Sequence, residues 1–538
     1  MGINRRINLL TLRDQPKLIK GILRNDKHVV SRLLEDKEEI DKCDVERRTP
    51  LHLAAALGYT AVAELLLSGG ARVNARDNNW VSPVHRACRN NHEHMVSLLL
   101  ANGADANTRD RQWITPMHVC AANNGLECAR VLLPHINSID ASDRVGASPL
   151  HHAVFNSHLD LTSFLLSNRA QANHFDNCDR RPIHYAAAVD NTDAIRFLVE
   201  TGGAEVDVHD KDMMTPLHMA AAKGSLNALH LLLDFGAKID AIDAFGNTAV
   251  HWAALHGQDD ILDELILRGA DFGCVNHNGI TPLHLAAGSS LGTSALDVLL
   301  THKDSIDVNS RDKFGRTALH FAAKYGRHNR IADLIRCGAD CRIADKCLAS
   351  PLHYASLSGH TPVMDALITI AKADVNLIDT NGMSCLHYSS FAGFSSASKR
   401  LLDANANSQI CDTCGRTAHF MAAYSGNIEC LQLLTPLPER LIDAFNRSLL
   451  HYASNAHTSE CLDFLLKSFK HKFDINERDI NGWTPLHYAS ARDQEDNPCV
   501  ELLVESGAER DIPDNHGFYA LDYAAVSRLT TSAINISI

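Results

Sequence analysis

The segment Thr-Pro-Leu-His-Leu-Ala-Ala at residues 49–55 returns, with small changes, about every 33 residues along almost the whole chain of 538 residues. We call each return a motif and count its places from the Thr or Ser. A fixed period of this size predicts many copies of one small structural unit. The motifs begin at Thr49, Ser82, Thr115, Ser148, Arg181, Thr215, Thr248, Thr281, Thr317, Ser350, Ser384, Thr417, Ser448, Thr484 and, much altered, Tyr519.

One unit can be interpreted residue by residue. Thr49 is placed to cap a helix, and Pro50 occupies the first helical position, where a missing N–H costs nothing. Gly58 supplies a left-handed residue that ends this helix. A second helix over residues 61–67 carries a leucine cluster and stops at Gly69, after which a polar hairpin leads to the next motif.

A single helix pair cannot bury its apolar face, so neighbouring pairs must stack. The 33-residue period and the TPLH motif resemble those of ankyrin repeats, and this resemblance implies an all-α ankyrin-repeat solenoid of about 15 to 16 helix-turn-helix units with short hairpin loops. The expected array covers residues 16–525, with a degenerate capping unit first and a truncated unit last. Residues 1–15 and 526–538 are expected to be tails.

Composition excludes several classes of function. The formal net charge of −13 argues against a nucleic-acid partner, which requires a basic surface. No run of 18 apolar residues is present, so membrane insertion is not expected. Fifteen cysteines at unrelated places within the repeats indicate reduced thiols and a cytoplasmic, possibly also nuclear, location.

Thirteen of the 31 histidines occupy the fourth place of the motif, where metal binding or acid-base catalysis must be considered. A side chain at this place can hydrogen-bond the capping residue and the backbone of a neighbouring turn. We therefore predict that these histidines hold adjacent units in register. Successive members would lie about 10 Å apart, too far to share one zinc ion.

Two other patterns resemble chemical sites. Cys411 and Cys414 form a CxxC without the second cysteine pair that a structural zinc site needs. Aspartates recur once per hairpin and are predicted to form turns. No nucleophile, base or cofactor motif stands out from the repeats, so we expect no enzyme, no metal and no cofactor.

Departures from the repeat are the best indication of where a partner binds. Large apolar residues replace the usual hairpin glycine in four units, either as interface anchors or as rings folded over a neighbouring hairpin. Polar residues just after the Ala-Ala pair are predicted to line the concave side and are candidates for hydrogen bonds at the rim of an interface. These candidate protein-binding residues are Trp80, Trp113, Met213 and Leu348 in the hairpins, and Arg89, Asn90, Asn123 and Asn124 after the Ala-Ala pair.

Several longer segments resemble one group of ankyrin proteins. They include LRDQPKL from Leu12, ARVNARDNNWVSPVHRA from Ala71, TRDRQWITPMH from Thr108, AFGNTAVHWA from Ala244 and FGRTALHFAAKYGR from Phe314. Over residues 12–525 the chain resembles the N-terminal half of the ankyrin-repeat regulatory subunits of serine/threonine protein phosphatase 6. The resemblance implies a non-catalytic scaffold that joins the phosphatase 6 catalytic subunit through a SAPS-domain regulatory subunit. Family members are about twice as long, so a shortened form or a fragment is expected.

Two alternatives remain open. The second class of function is a general ankyrin-repeat adaptor that links membrane-skeleton or signalling proteins, and the third is a cryptic enzyme. In addition, Asn74 and Asn107 each lie eight residues after a leucine. That pattern resembles substrates of the asparaginyl hydroxylase that acts on hypoxia factors, although an asparagine there also stabilises a turn.

Overall fold

The first helix of each repeat begins as the motif predicts. In the computed structural model, the backbone N–H of Thr49 donates to His52 Nδ1 at 3.1 Å, and Pro50 is the first helical residue. Gly58, with φ of 71°, ends the helix. Leu51, Ala54 and Ala55 are fully buried, and the small alanines allow neighbouring helices to approach closely.

The structure describes residues 16–36, 39–291, 294–438, 441–492 and 498–523. Within these ranges it contains fifteen helix pairs, and residues 520–523 begin a further helix. The predicted tails 1–15 and 526–538 lie outside the described residues, as do residues 524–525 at the end of the predicted array. The all-α solenoid prediction is confirmed, and the described hairpins contribute two isolated β-bridges and no strand.

The helices have the following bounds. They are α1 (Lys17–Leu23), α2 (Lys27–Glu35), α3 (Pro50–Leu57), α4 (Thr60–Ser68), α5 (Pro83–Arg89), α6 (Glu93–Ala101), α7 (Pro116–Ala122), α8 (Leu126–Leu132), α9 (Pro149–Phe155), α10 (Leu159–Ser167), α11 (Pro182–Ala188), α12 (Thr192–Arg196), α13 (Pro216–Lys223), α14 (Leu226–Asp234), α15 (Ala249–His256), α16 (Asp259–Leu267), α17 (Pro282–Gly288), α18 (Ser294–Thr301), α19 (Ala318–Lys324), α20 (His328–Arg336), α21 (Pro351–Leu357), α22 (Thr361–Thr369), α23 (Cys385–Ala392), α24 (Ser395–Asp403), α25 (Ala418–Ser425), α26 (Ile428–Leu433), α27 (Leu449–Ser454), α28 (Glu460–Ser468), α29 (Pro485–Ser490) and α30 (Pro498–Glu505).

The chain divides into two compact units. Unit 1 comprises Met1–Ala253 and Asp260–Asp271, and unit 2 comprises Ala254–Asp259 and Phe272–Ile538. Within unit 1, the first helices α3, α5, α7, α9, α11 and α13 pack in succession. Within unit 2, the same holds from α17 to α29. Within each unit, these first helices therefore contact their equivalents in the adjacent repeats, as expected of a solenoid.

The degenerate first repeat also forms a helix pair. Leu18, Ile19 and Ile22 of α1 are buried, and Asn25 adopts a left-handed φ of 54° in the place that glycine takes in other repeats. None of the described helices has the length and hydrophobicity that crossing a bilayer requires.

Candidate functional site

The motif histidines link consecutive repeats. The Nδ1 atom of each of the thirteen accepts the backbone N–H of the first-place residue at 2.9–3.2 Å. Because Nδ1 accepts, Nε2 carries the proton in the neutral ring and donates onward. His151 Nε2 donates to the carbonyl oxygen of Arg180 at 3.1 Å, and His320 Nε2 donates to that of Ala349 at 3.1 Å. The predicted register role is confirmed.

These imidazoles are held in the neutral form. Burial is the main cause that lowers the pKa of His118, His151, His184 and His320 to about 4. The backbone carbonyls that accept from Nε2 oppose this shift only in part. A neutral ring with both nitrogens engaged cannot serve as a general base without breaking the contact between repeats.

One repeat departs from the histidine pattern. In the motif that begins at Thr417, Phe420 occupies the fourth place and His419 lies one place earlier. His419 Nε2 donates to the Leu434 carbonyl at 2.8 Å, inside its own repeat. The Phe420 ring instead packs edge-on against Tyr452 of the next repeat, with centroids 5.4 Å apart. Sequence analysis did not single out this change, although the letters TAHF in place of TPLH signal it.

The hairpin aspartates form turns, as predicted, and also bind a side chain that sequence analysis missed. Asp443 Oδ1 accepts the backbone N–H groups of Phe445 and Arg447 at 2.8 Å each. Its Oδ2 accepts from Arg447 Nε at 2.8 Å and from the Tyr452 hydroxyl at 2.9 Å. The second oxygen therefore ties the hairpin to the fifth place of the following motif.

This fifth-place partner recurs nine residues after the aspartate in both units. The partners are Arg86, His152, Tyr185, Trp252, Tyr354, Tyr388, Tyr452, Tyr488 and Tyr523. Burial and the Asp479 carboxylate raise the pKa of Tyr488 to about 12, so this hydroxyl remains a donor at neutral pH. The sequence signal that could have revealed this partner is a side chain able to donate a hydrogen bond, placed directly after the motif histidine.

One group of side chains has the spacing of a metal site. His118, Asp143 and His152 offer ligand atoms that lie within 4.8 Å of one another. However, His118 Nδ1 accepts the Thr115 N–H at 3.2 Å and its Nε2 donates to the Ala147 carbonyl at 3.0 Å. A metal would have to displace a bond between repeats, so the arrangement fits a structural role better than coordination.

Three buried cysteines, Cys88, Cys120 and Cys128, interact through their thiol groups, but the described residues hold no metal-binding cluster of cysteines. None of the fifteen cysteines, all of which lie in the described ranges, forms a disulfide. Cys411 is exposed and Cys414 is half-buried on one hairpin, in agreement with the turn position expected from the sequence. The described residues do not place this CxxC in a metal-binding cluster.

The bulky hairpin residues occupy a left-handed backbone conformation. Trp80, Trp113, Met213 and Leu348 have φ between 59° and 63°, and all four are about half exposed. The Arg76 guanidinium lies 5.7 Å from the Trp80 ring centroid, and Arg109 lies 5.5 Å from that of Trp113. Each indole thus packs on an arginine of its own hairpin. Their role as interface anchors stays a prediction.

The polar candidates after the Ala-Ala pair are exposed, but three of them also support the repeat framework. Asn90 Nδ2 donates to the Ala56 carbonyl of the preceding repeat at 2.7 Å. Asn123 Nδ2 donates to the Val119 carbonyl of its own helix at 2.8 Å. Asn124 has φ of 56° and replaces the helix-ending glycine. Arg89 is exposed at the end of α5. Binding by these residues stays a prediction.

Asn74 and Asn107 each bridge to the next repeat. Asn74 Nδ2 donates to the Gly103 carbonyl at 3.0 Å, and its Oδ1 accepts the Asp105 N–H at 2.9 Å. Asn107 Oδ1 accepts the N–H of Asn137 at 2.7 Å. These bonds give both residues a structural role. Hydroxylation stays a prediction that a mass increase of one oxygen at either residue would test.

Sequence analysis missed a groove in unit 2. Leu357, Phe391 and Tyr424 occupy the eighth place of three consecutive motifs, and the groove beside them has a volume of about 530 Å³. Arg416 and Arg447 also line it. Single aromatic residues at helix ends are common, so only their succession in adjacent repeats could have revealed this surface.

Comparisons with known proteins agree with the repeat architecture. The family described as "Ankyrin repeats (3 copies)" matches residues 18–110, 84–176, 165–243, 183–274, 250–345, 328–410, 352–443, 393–479 and 450–534. The chain is 29% identical over 241 residues to Ankyrin repeat protein nuc-2 of Neurospora crassa, covering 44% of this chain and 22% of that protein. It is 30% identical over 231 residues to Probable 26S proteasome regulatory subunit p28 of Saccharomyces cerevisiae, covering 42% of this chain and 86% of that protein.

A human channel and a solved structure are also similar. Human Transient receptor potential cation channel subfamily A member 1 is 36% identical over 117 residues, which are 21% of this chain and 10% of the channel. The human ASB11 ankyrin repeat domain is 32% identical, with a TM-score of 0.39, and the match covers 41% of this chain and 99% of that domain. The chain thus spans about a fifth of nuc-2 and a tenth of the channel. Because the family matches residues 18–534 without a gap, the chain belongs to the ankyrin-repeat family.

Proposed function

We propose that this protein is a non-catalytic regulatory subunit of the protein phosphatase 6 holoenzyme. In this proposal it joins the catalytic subunit through a SAPS-domain regulatory subunit and helps to recognise or locate substrates, in the cytoplasm or the nucleus. The ankyrin repeats indicate a protein-binding scaffold. The phosphatase assignment rests on the sequence resemblance over residues 12–525.

One structural observation carries the scaffold part of this proposal. The repeated polar side chains are engaged within the array, as in the bonds that His151 makes to Ser148 and Arg180. The groups that remain for a partner are exposed side chains that differ from repeat to repeat, such as Trp80 and Trp113. This division between a uniform framework and a variable surface is how solenoids bind other proteins.

Affinity purification of the tagged full chain, followed by mass spectrometry, tests the proposal. We expect the phosphatase 6 catalytic subunit and a SAPS-domain subunit to co-purify, and the purified chain alone to have no phosphatase activity. A Trp80→Gly/Trp113→Gly variant restores the common hairpin residue and tests whether the indoles contribute. Phe245→Ala, which also removes an exposed aromatic ring from a hairpin of unit 1, is the matched control.

The alternative is a general adaptor between membrane-skeleton or signalling proteins. Recovery of transmembrane tails or signalling proteins without phosphatase subunits would favour this alternative and contradict the phosphatase proposal. Catalytic activity of the chain alone, abolished by substitution of one residue outside the motif, would contradict both.

A further inference from the structure

Three consecutive repeats of unit 2 expose apolar side chains at the same place. Leu357, Phe391 and Tyr424 each lie at the eighth place of their motif, and each is 44% exposed. We call these three residues the apolar row. The Phe391 and Tyr424 rings are nearly parallel, with centroids 6.4 Å apart, and Tyr424 meets Tyr452 of the next repeat at 6.2 Å. Phe391, Tyr424 and Tyr452 therefore form a continuous aromatic strip, and Leu357 lines the groove beside it.

The strip forms one side of the groove of about 530 Å³. Met383 and Met421 add apolar lining, and Asn455 stands at the eighth place of the next motif, where the row ends. Methionine side chains adapt their shape to different apolar ligands. A groove of this size accepts a small molecule or a few side chains of a peptide. The apolar row continues over three repeats, which favours an elongated ligand.

The charged side chains that line the groove are positive. Arg416 and Arg447 line it, and none of the described residues that line the groove is acidic. The two arginine side chains are 27% and 25% exposed, whereas those of their ion-pair partners Asp412 and Asp443 are only 1% and 0% exposed. A ligand in the groove thus meets guanidinium groups and not the carboxylates behind them.

The arginines are also held in position to receive a ligand. Nε and Nη2 of Arg447 both donate to Asp443 Oδ2, at 2.8 and 2.7 Å, and the guanidinium lies 4.9 Å from the Tyr452 ring centroid. Arg416 makes the same pair of bonds to Asp412 Oδ2, at 2.7 and 2.6 Å. These bonds leave Nη1 of each guanidinium outside the ion pair, and the fixed geometry lowers the entropic cost of binding a carboxylate.

We propose that this groove binds an extended acidic peptide that carries bulky apolar side chains. The Phe391 and Tyr424 ring centroids are 6.4 Å apart, and side chains on one face of an extended peptide recur at every second residue, about 6.6 Å apart. Apolar side chains at every second position would therefore meet the apolar row in turn. Acidic residues between them would pair with Arg416 and Arg447.

Two other kinds of ligand fit the groove less well. A basic peptide would place its charges against the two guanidinium groups. Single-stranded RNA could stack on the aromatic rings, but its phosphates would meet only two arginines on a chain whose formal net charge is −13. Binding of a basic peptide and binding of single-stranded RNA are therefore measured in the same test.

The test uses the full chain and a fluorescently labelled nine-residue peptide, with leucine or phenylalanine at every second position and aspartate or glutamate elsewhere. Fluorescence anisotropy should show saturable binding that weakens as sodium chloride is raised from about 0.05 to 0.5 M. Phe391→Ala with Tyr424→Ala should weaken binding about tenfold or more. The matched control is Phe155→Ala, which removes an exposed aromatic ring from the same motif place in unit 1 and should leave binding unchanged.

Two substitutions of opposite charge at the exposed residue Leu357 make the test more specific. Leu357→Glu places a carboxylate in the groove and should weaken binding of the acidic peptide about tenfold. Leu357→Lys removes the same apolar side chain without adding repulsion and should bind more tightly than Leu357→Glu. Circular dichroism of each variant establishes that the fold is retained.

The proposal is overturned if the acidic peptide does not bind at about 1 mM, or if a peptide with lysine in place of each acid binds equally well. Equal binding of oligouridylate, or an unchanged affinity in the Phe391→Ala/Tyr424→Ala variant, also overturns it. The inference rests on the protein-binding part of the proposed function and not on the phosphatase assignment. If the peptide does not bind but the phosphatase subunits co-purify, only the groove proposal fails. If the peptide binds but the phosphatase subunits do not co-purify, only the phosphatase assignment fails.

Discussion

The two units share one framework and differ in the residues at the hairpin glycine place and at the eighth motif place. Unit 1 carries Trp80, Trp113 and Met213 on its hairpins, where most repeats of unit 2 have glycine. Unit 2 instead presents Leu357, Phe391 and Tyr424 at the eighth motif place. In unit 1 that place is held by Ala56, Arg89, Ala122, Phe155, Ala188 and Ala222.

This difference indicates which positions of a repeat are constrained by the stacking of repeats. The histidine and aspartate bonds recur in both units because each repeat must be fixed to the next. The large side chains that stand at these two places, such as Trp80, Leu357 and Phe391, are about half exposed and take no part in the histidine and aspartate bonds. Two regions with the same fold can therefore select different partners.

The largest expected difference between the units is in their response to acid. Burial lowers the pKa of motif histidines in both units, including His353 and His387 of unit 2. It lowers the pKa to about 4 for His118, His151 and His184 of unit 1 and for His320 of unit 2. Between about pH 6.5 and 4 the unfolded chain binds more protons than these buried rings do. The free energy of unfolding therefore falls as pH is lowered through this range, by about 1.4 kcal/mol per pH unit for each such histidine.

Hydrogen exchange at pH 7 and pH 5, corrected for the intrinsic rates, measures this effect. We expect protection over residues 115–190 to decrease more than protection over residues 350–416. An equal decrease in the two segments, or a greater one in unit 2, would show that burial of the histidines does not distinguish the units.

The next largest expected difference is in the stability lost when a hairpin aspartate is neutralised. Asp443 of unit 2 compensates Arg447 and accepts from Tyr452, whereas Asp176 of unit 1 accepts the Tyr185 hydroxyl at 2.6 Å on its second oxygen. Asp443→Asn leaves a partly buried guanidinium without its charge partner and should cost about 3–5 kcal/mol. Asp176→Asn weakens hydrogen bonds and should cost about 1–3 kcal/mol.

Urea denaturation followed by circular dichroism compares the two variants. Tyr452→Phe is the control for Asp443→Asn, because it removes one hydrogen bond and keeps the ion pair, at an expected cost of about 1 kcal/mol. If Asp443→Asn is no more destabilising than Tyr452→Phe, the ion pair adds nothing to the hairpin of unit 2.

The periodic features of the fold could be predicted from the sequence, and the pairings across the repeat could not. The bonds of His151 were foreseeable because the same residue recurs at a helix start in thirteen motifs. The partnership of Asp443 with Tyr452 depends on how the hairpin turns back onto the next helix, and its second member varies among arginine, histidine, tyrosine and tryptophan. The apolar row was missed because Leu357, Phe391 and Tyr424 differ in type and form a surface only when the repeats stack.

The smallest expected effect on stability is that of restoring glycine to the hairpins of unit 1. Trp80 has φ of 62°, a conformation that costs a residue with a side chain about 1–2 kcal/mol. Trp80→Gly relieves this strain but loses the contact with Arg76, which contributes about 0.5–1 kcal/mol at an exposed site. Glycine also gains more freedom in the unfolded chain, so the net change in the free energy of unfolding should be within about 1 kcal/mol.

The same substitution should have a large effect on binding if the indoles anchor a partner, since tryptophan side chains at interface centres contribute about 2 kcal/mol or more. Trp80→Gly/Trp113→Gly should therefore keep the urea midpoint and lose co-purifying proteins that bind unit 1. Leu357→Glu should keep those proteins and lose ligands of the groove in unit 2. If both variants lose the same proteins, the two surfaces do not act separately, and the contrast between the units has no functional meaning. A fall in the urea midpoint of the double variant would instead assign the indoles to packing within their own hairpins.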